Sequence, residues 1–207
     1  IAQGAVVLAG HEGEIRTLAI SADGRWLASG GADRRARLWS LDDGKLLHQL
    51  RGHDDAITAT AFAGDGLRLA TGAADGSVRV WQLDAAHPDE ASTVLRGHTQ
   101  TVTALAFVED AVLASASNDG TVRLWQLASG EQLVLGSHDA PVQRLLRHPG
   151  GPLVSVSYDG SARVWPTTGD ELARRICEVV HHGAEPARLA ALFQGRPPAP
   201  GCVPQKP

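Results

Sequence analysis

Four sets of side chains in this sequence have the makings of a nucleophilic site: a hydroxyl, an imidazole and a carboxylate, each set closed by an indole. They are His11, Ser29, Asp33 and Trp39; His53, Thr71, Asp75 and Trp81; His98, Ser115, Asp119 and Trp125; and His138, Ser155, Asp159 and Trp165. In a hydrolase the serine attacks, the histidine takes its proton and the aspartate orients the ring. An enzyme needs that constellation once. Here the hydroxyl lies four residues before the aspartate and the tryptophan six after it in every copy. A device written four times builds a fold, so no catalytic residue is expected. No GxSxG elbow, HExxH helix or glycine-rich phosphate loop accompanies it. Neither a metal nor a cofactor is expected: the recurring histidines belong to separate units, and the neighbours His181 and His182 would point apart in a helix or strand.

The elements that must position these sets are short. The histidines are spaced by 42, 45 and 40 residues and the tryptophans by 42, 44 and 40, so two independent markers keep step. Within a unit, runs such as AITATAFA, LRLATGAA and SVRVWQL alternate with Gly and Asp turns, which predicts strands joined by hairpins. Residues 1–166 show no helical period. The 207 residues are 43% apolar and 20% charged, ordinary for a globular chain, and the net charge of -4 argues against a nucleic-acid partner. No apolar run nears the roughly 18 residues of a spanning helix, and IAQGAVVLAGHEG lacks the basic start of a signal peptide, so no membrane partner is expected. With only Cys177 and Cys202, both near the end, a reducing, cytoplasmic setting is expected. The chain starts at Ile1 and has no methionine, which suggests a piece of something longer.

A unit of this length, with four strands and a His-to-Trp frame, resembles the blade of a WD40 β-propeller. The resemblance covers about residues 5–168 and implies an all-β fold of four blades near 11–52, 53–97, 98–137 and 138–168, with 171–207 a tail. It implies that each histidine, hydroxyl, aspartate and tryptophan set forms a buried hydrogen-bond chain. The Asp that names the family is replaced after each tryptophan, by Ser40, Gln82, Gln126 and Pro166. Residues 4–9 match the stretches LLHQLRGH, STVLRGH and EQLVLGSH, and are expected to be a strand that closes a blade. Four such blades leave two apolar faces open. The first expectation for the cover is missing blades in a longer chain, of which this would be the C-terminal piece of a larger propeller; a cleaved companion, a second copy making a homodimer and a tight four-bladed ring are the alternatives.

The resemblance also implies function: a non-catalytic scaffold or sensor that binds a protein partner. Its exposed positions read Glu14 and Arg16 in the first unit, Thr58 in the second, Thr103 and Asn118 in the third, and Gln143 and Tyr158 in the fourth. Arg34 and Arg35 join them as partner-binding candidates, because Arg34 stands where Gly76, Gly120 and Gly160 stand elsewhere. The tail, with LARRICEVV, a helix expected over 186–193 and a final PGCVP, resembles that of bacterial WD-repeat signalling proteins. In those a nucleotide-switch, kinase or protease domain precedes the propeller, so a regulatory propeller of an enzyme is the second reading.

Overall fold

The computed structural model describes residues 5–109, 111–147, 151–165 and 167. Among the described residues fifteen strands form four separate antiparallel sheets and no helix occurs. The first blade is β1 (Ile15–Ile20), β2 (Trp26–Gly31), β3 (Arg35–Ser40) and β4 (Leu46–Arg51), paired in that order. The second repeats it with β5 (Ile57–Phe62), β6 (Arg68–Ala73), β7 (Val78–Gln82) and β8 (Ser92–Leu95). The third comprises β9 (Val102–Glu109), β10 (Val112–Ser117), β11 (Thr121–Gln126) and β12 (Gln132–Ser137). In the fourth the described residues form three strands, β13 (Val142–Arg147), β14 (Leu153–Ser157) and β15 (Ala162–Trp165).

Local chemistry sets each hairpin. The second and third strands of a blade are joined by an Asp-Gly turn whose glycine sits at positive φ, 79° at Gly76 and 81° at Gly120. The aspartate fixes that turn by accepting the amide two residues on, as from Ser77 (2.7 Å) to Asp75 and from Thr121 (2.9 Å) to Asp119. In the first blade Arg34 holds the same conformation at φ 63°, the sole non-glycine residue described there, as its place in the sequence predicts.

The core lies between blades and not within them. Three apolar clusters each join the rear of one blade to the front of the next: Ala28, Ala36, Leu38 and Leu50 meet Ile57, Leu69 and Trp81 at the first joint. Val78, Val80 and Leu95 meet Val102, Leu105 and Trp125 at the second, and Ala114, Val122 and Leu124 meet Val142, Leu145 and Trp165 at the third. Glycine makes the close approach: a Cβ on Gly30 would stand 2.5 Å from Ile57, and one on Gly72 2.5 Å from Val102. The inner strands β1, β5, β9 and β13 follow one another around a common cavity of about 310 Å³.

Residues 5–9 differ from expectation. They are in no strand, and none of the described sheets includes them. Among the described residues no apolar cluster joins the fourth blade to the first. The expected helix over 186–193, together with Cys177, Cys202, His181 and His182, lies outside the described residues.

The hairpin glycines offer a measure of the joints. Gly76 and Gly160 share φ near 80°, but a Cβ on Gly76 would sit 2.7 Å from the His98 carbonyl of the next blade, while nothing lies within 4 Å at Gly160. Alanine in this conformation costs about 1 kcal/mol. Gly160→Ala should lose about that amount in urea denaturation followed by tryptophan fluorescence, and Gly76→Ala at least about 1 kcal/mol more from the backbone clash. Equal losses would show that the joint does not press on the hairpin.

Candidate functional site

In the third and fourth blades the recurring polar set is a one-way chain of protons. The Trp125 indole N–H donates to Ser115 Oγ at 2.7 Å, Ser115 Oγ lies 2.7 Å from His98 Nε2, and His98 Nδ1 lies 2.8 Å from Asp119. The fourth blade gives 2.8, 2.7 and 2.8 Å for Trp165, Ser155, His138 and Asp159. Because the carboxylate only accepts and the indole only donates, the imidazole is protonated on Nδ1 and the serine gives its proton to Nε2. The aspartate is filled further by the Thr99 amide at 3.1 Å and the Thr121 hydroxyl at 2.7 Å.

This connectivity is that of a Ser-His-Asp triad, and its setting rules out the chemistry. Ser115, Ser155 and Thr71 are wholly buried, and each hydroxyl oxygen is already engaged by an indole. No substrate carbonyl can reach them. The sets brace the hairpin of each blade against its central strand.

The first two blades vary the pattern. In the second, His53 Nδ1 bonds Ser77 Oγ at 2.9 Å and stands 4.0 Å from Asp75, so a hydroxyl is interposed where direct contact was expected. Asp75 turns to the amides of Asp54 (3.1 Å) and Ser77 (2.7 Å) instead. In the first, Arg35 occupies the hydroxyl position, and the buried Arg37 reaches in to lie 2.6 Å from both Asp33 and His11. Arg37 was not singled out from sequence as part of the set; the missing hydroxyl at position 35 is the signal that a substitute donor was needed.

Burial sets the electrostatics. It lowers His53 to about 4 against the partial support of Asp75, and it lowers His98 against the hydrogen bond that its Nδ1–H donates to Asp119. Burial pushes Asp119 up, but bonds from Thr121, His98 and Thr99 outweigh it and hold the carboxyl at about 2. Asp33, raised by burial, is held well below the usual range chiefly by the Arg37 bond.

The proposed surface residues divide. Glu14, Arg16, Arg34, Gln143 and Tyr158 are exposed, with Arg16 paired to Glu14 at 3.3 Å and the half-buried Arg35 reaching Glu12 at 3.4 Å. Asn118 is half-buried at its hairpin. Thr58 and Thr103 are engaged between blades: their hydroxyls donate to the carbonyls of Val102 (2.5 Å) and Val142 (2.6 Å) in the next inner strand. Arg144, which sequence reading passed over, lines the common cavity with Arg16; its signal is a charge where Thr17, Ala59 and Ala104 stand in the other units. Among the described residues no group of His, Cys, Asp and Glu could hold a metal, and no helix is long and apolar enough to cross a membrane.

Two outcomes follow from the chains. Ser115→Ala leaves the His98 and Trp125 nitrogens without their shared oxygen and should cost about 2 to 6 kcal/mol in urea denaturation, at about 1 to 3 per orphaned group. The same truncation at the exposed Ser129 should cost under about 0.5 kcal/mol. The pH dependence has a definite sign: His53 and His98 are neutral in the fold, so as pH falls below 6.5 the unfolded chain takes up protons that the folded chain refuses. Stability should fall from pH 6.5 to about 4, by about 3 kcal/mol from His53 alone, and further from 4 toward 2 as Asp119 is protonated. A flat denaturation midpoint between pH 7 and 4 would contradict this.

The comparisons with known proteins agree with this architecture. Over 99 residues the chain is 37% identical to the apoptotic protease-activating factor 1 of Danio rerio, covering 46% of this chain and 8% of that protein. It is 47% identical over 47 residues to the ribosome biogenesis protein erb1 of Aspergillus oryzae, 23% of this chain and 6% of that one. It thus spans under a tenth of the length of these curated relatives. The crystal structure of RRP9 WD40 repeats superposes with a TM-score of 0.70 at 27% identity, over 80% of this chain and 52% of that chain. The model of the WD domain, G-beta repeat, matches four times, at residues 5–40, 44–82, 90–126 and 130–166, and the chain therefore belongs to the WD40-repeat family.

Proposed function

We propose that this chain is a non-catalytic scaffold or sensor module of a larger signalling protein, acting in the cytoplasm through a protein partner. One observation carries the reading: every recurrent polar set is consumed inside its blade, so only the residues that differ between blades are left to recognise anything. WD40 repeats are generally non-catalytic interaction modules, and relatives matched here are named for apoptotic protease activation and ribosome biogenesis. Tyr158 and Arg16 are the anchors, as aromatic and arginine side chains dominate binding hot spots, with Glu14, Arg34, Arg35, Asn118 and Gln143 around them. Thr58 and Thr103 contribute by setting the spacing of the inner strands. Nucleic acid is not favoured at a net charge of -4.

A second reading has an observation of its own. A piece of this size matching 8% of a protease-activating factor fits the regulatory propeller of an enzyme whose catalytic domain lies elsewhere in a longer chain. The bacterial origin suggested by the tail rests on residues outside those described.

Quantitative affinity capture with the immobilised chain tests the proposal. The doubly substituted Arg16→Ala, Tyr158→Ala chain should keep its denaturation midpoint and lose at least about tenfold of a specific captured protein, a loss of about 1.4 kcal/mol. Capture unchanged by the double substitution would remove these residues from the interface.

A further inference from the structure

The cavity of about 310 Å³ between the inner strands is lined by positive charge and by no negative charge. Arg16 on β1 and Arg144 on β13 stand in its wall, and no carboxylate does. In a chain of net charge -4 this is a local reversal of sign. The buried Leu105 and Leu145 give the wall an apolar backing, which strengthens the field of the two guanidinium groups inside it. The two arginines differ in state. Arg16 Nε donates to Glu14 at 3.3 Å, and the Glu14 side chain is 72% exposed, so this carboxylate is held loosely from outside the wall. Arg144 is exposed and makes no hydrogen bond or ion pair among the described residues. The hydroxyls of the cavity are mostly spent as donors and free as acceptors. Thr58 and Thr103 give their protons to the Val102 and Val142 carbonyls. Thr17 and Thr60 bond each other at 2.9 Å, so one proton of that pair is used and one is left. The wall thus offers two guanidinium groups and one hydroxyl proton to an acceptor, and the lone pairs of its threonine oxygens to a donor.

We infer that this cavity takes the side-chain carboxylate of a glutamate or aspartate in a partner polypeptide. Arg144 pairs with that carboxylate directly, and Arg16 does so by exchanging Glu14 for it, while an amide N–H of the same segment donates to a threonine oxygen. The chemistry of the ligand follows from the wall. A bare anion satisfies the arginines but brings no donor for the threonine oxygens, whereas an acidic peptide carries both groups on one chain. The volume lies at the small end of the range for ligand sites, about 300 to 1,000 Å³, and holds a side chain with its flanking peptide groups rather than a domain. Glu14 already shows Arg16 accepting a carboxylate as its partner, and its exposure leaves it free to swing away. The inference deepens the reading of this chain as an interaction module and rests on it.

NMR titration of the 207-residue chain, isotope-labelled in arginine, tests it with three probes: acetyl-Gly-Glu-Gly-amide, the same peptide with Gln for Glu, and sodium acetate. The Nε–H signals of Arg16 and Arg144 should shift saturably with the Glu peptide, which should bind at least about tenfold more tightly than the Gln peptide or acetate. Arg144→Gln alters an exposed, unpaired side chain, so it should keep the urea midpoint and lose that preference. Glu14→Gln removes the internal competitor and should tighten the Glu peptide about two- to fivefold, the opposite sign from a residue that only shapes the wall. Equal binding of the Glu and Gln peptides, or an Arg144 signal that does not move, overturns the inference. A Glu14→Gln chain that binds no better than the parent overturns it too. Acetate binding as tightly as the Glu peptide overturns the peptide ligand and makes the cavity a bare-anion pocket. Failure of all three probes, with protein capture still dependent on Arg16 and Tyr158, overturns the acidic ligand and leaves the interaction module standing, which separates the two failures.

Discussion

The constraint on which everything else depends is that a four-stranded sheet with apolar side chains on both faces cannot stand alone in water. Each blade is stable only as the wall of its neighbour. Burying a Leu, Val or Ile side chain at a joint contributes about 1.5 to 3 kcal/mol, and the joints bury several each, so they carry most of the stabilisation that pays for ordering the strands. The small residues of β2 and β6 follow from this: Gly30 and Gly72 weaken their own strands but let the next blade approach closely enough to exclude water.

Hydrogen bonding then makes each wall rigid. An apolar joint is not directional and tolerates sliding, whereas the chain from indole to hydroxyl to imidazole to carboxylate admits one register of hairpin on strand. Its burial gives it force, because breaking one link strands the remaining polar atoms away from water. Thr58 and Thr103 extend the same principle across joints, tying one inner strand to the next by side chain to carbonyl bonds. The inner strands, tied one to the next, hold the hairpins of successive blades in a fixed pattern.

Much of this was legible because the repeat averages out noise. Four copies of a His, hydroxyl, Asp and Trp frame show which positions matter, and the glycine at Gly76, Gly120 and Gly160 exposes Arg34 as the residue forced to positive φ. What the repeat hides is whatever depends on a neighbour. Thr58 and Thr103 read as surface because their partner carbonyls are 44 and 39 residues away. Residues 5–9 read as a strand because their composition is that of β4, β8 and β12, yet pairing is decided by the edge on offer. Ser77 between His53 and Asp75 was equally invisible, since Thr121 and Ser161 at the same position leave the direct contact intact.

The first blade shows how a repeat adjusts when the hairpin hydroxyl is replaced. In the second and fourth blades the arginine four residues after the hairpin aspartate reaches the carbonyl at the end of the preceding outer strand, Arg79 to Gly52 at 2.7 Å and Arg163 to Ser137. In the third, Arg123 stays near that seam by bonding Gln132. In the first no such strand is formed, and position 35 has lost its hydroxyl; Arg37 answers both changes by folding inward onto Asp33 and His11. A buried guanidinium beside a carboxylate is sound only while the pair stays together, since separating them leaves a charge without water. The first hairpin is thus braced by the Arg37 charge at the point where the other three use the hydroxyls of Ser77, Thr121 and Ser161, while Ser29 keeps its bonds to His11 and Trp39 as in the other blades.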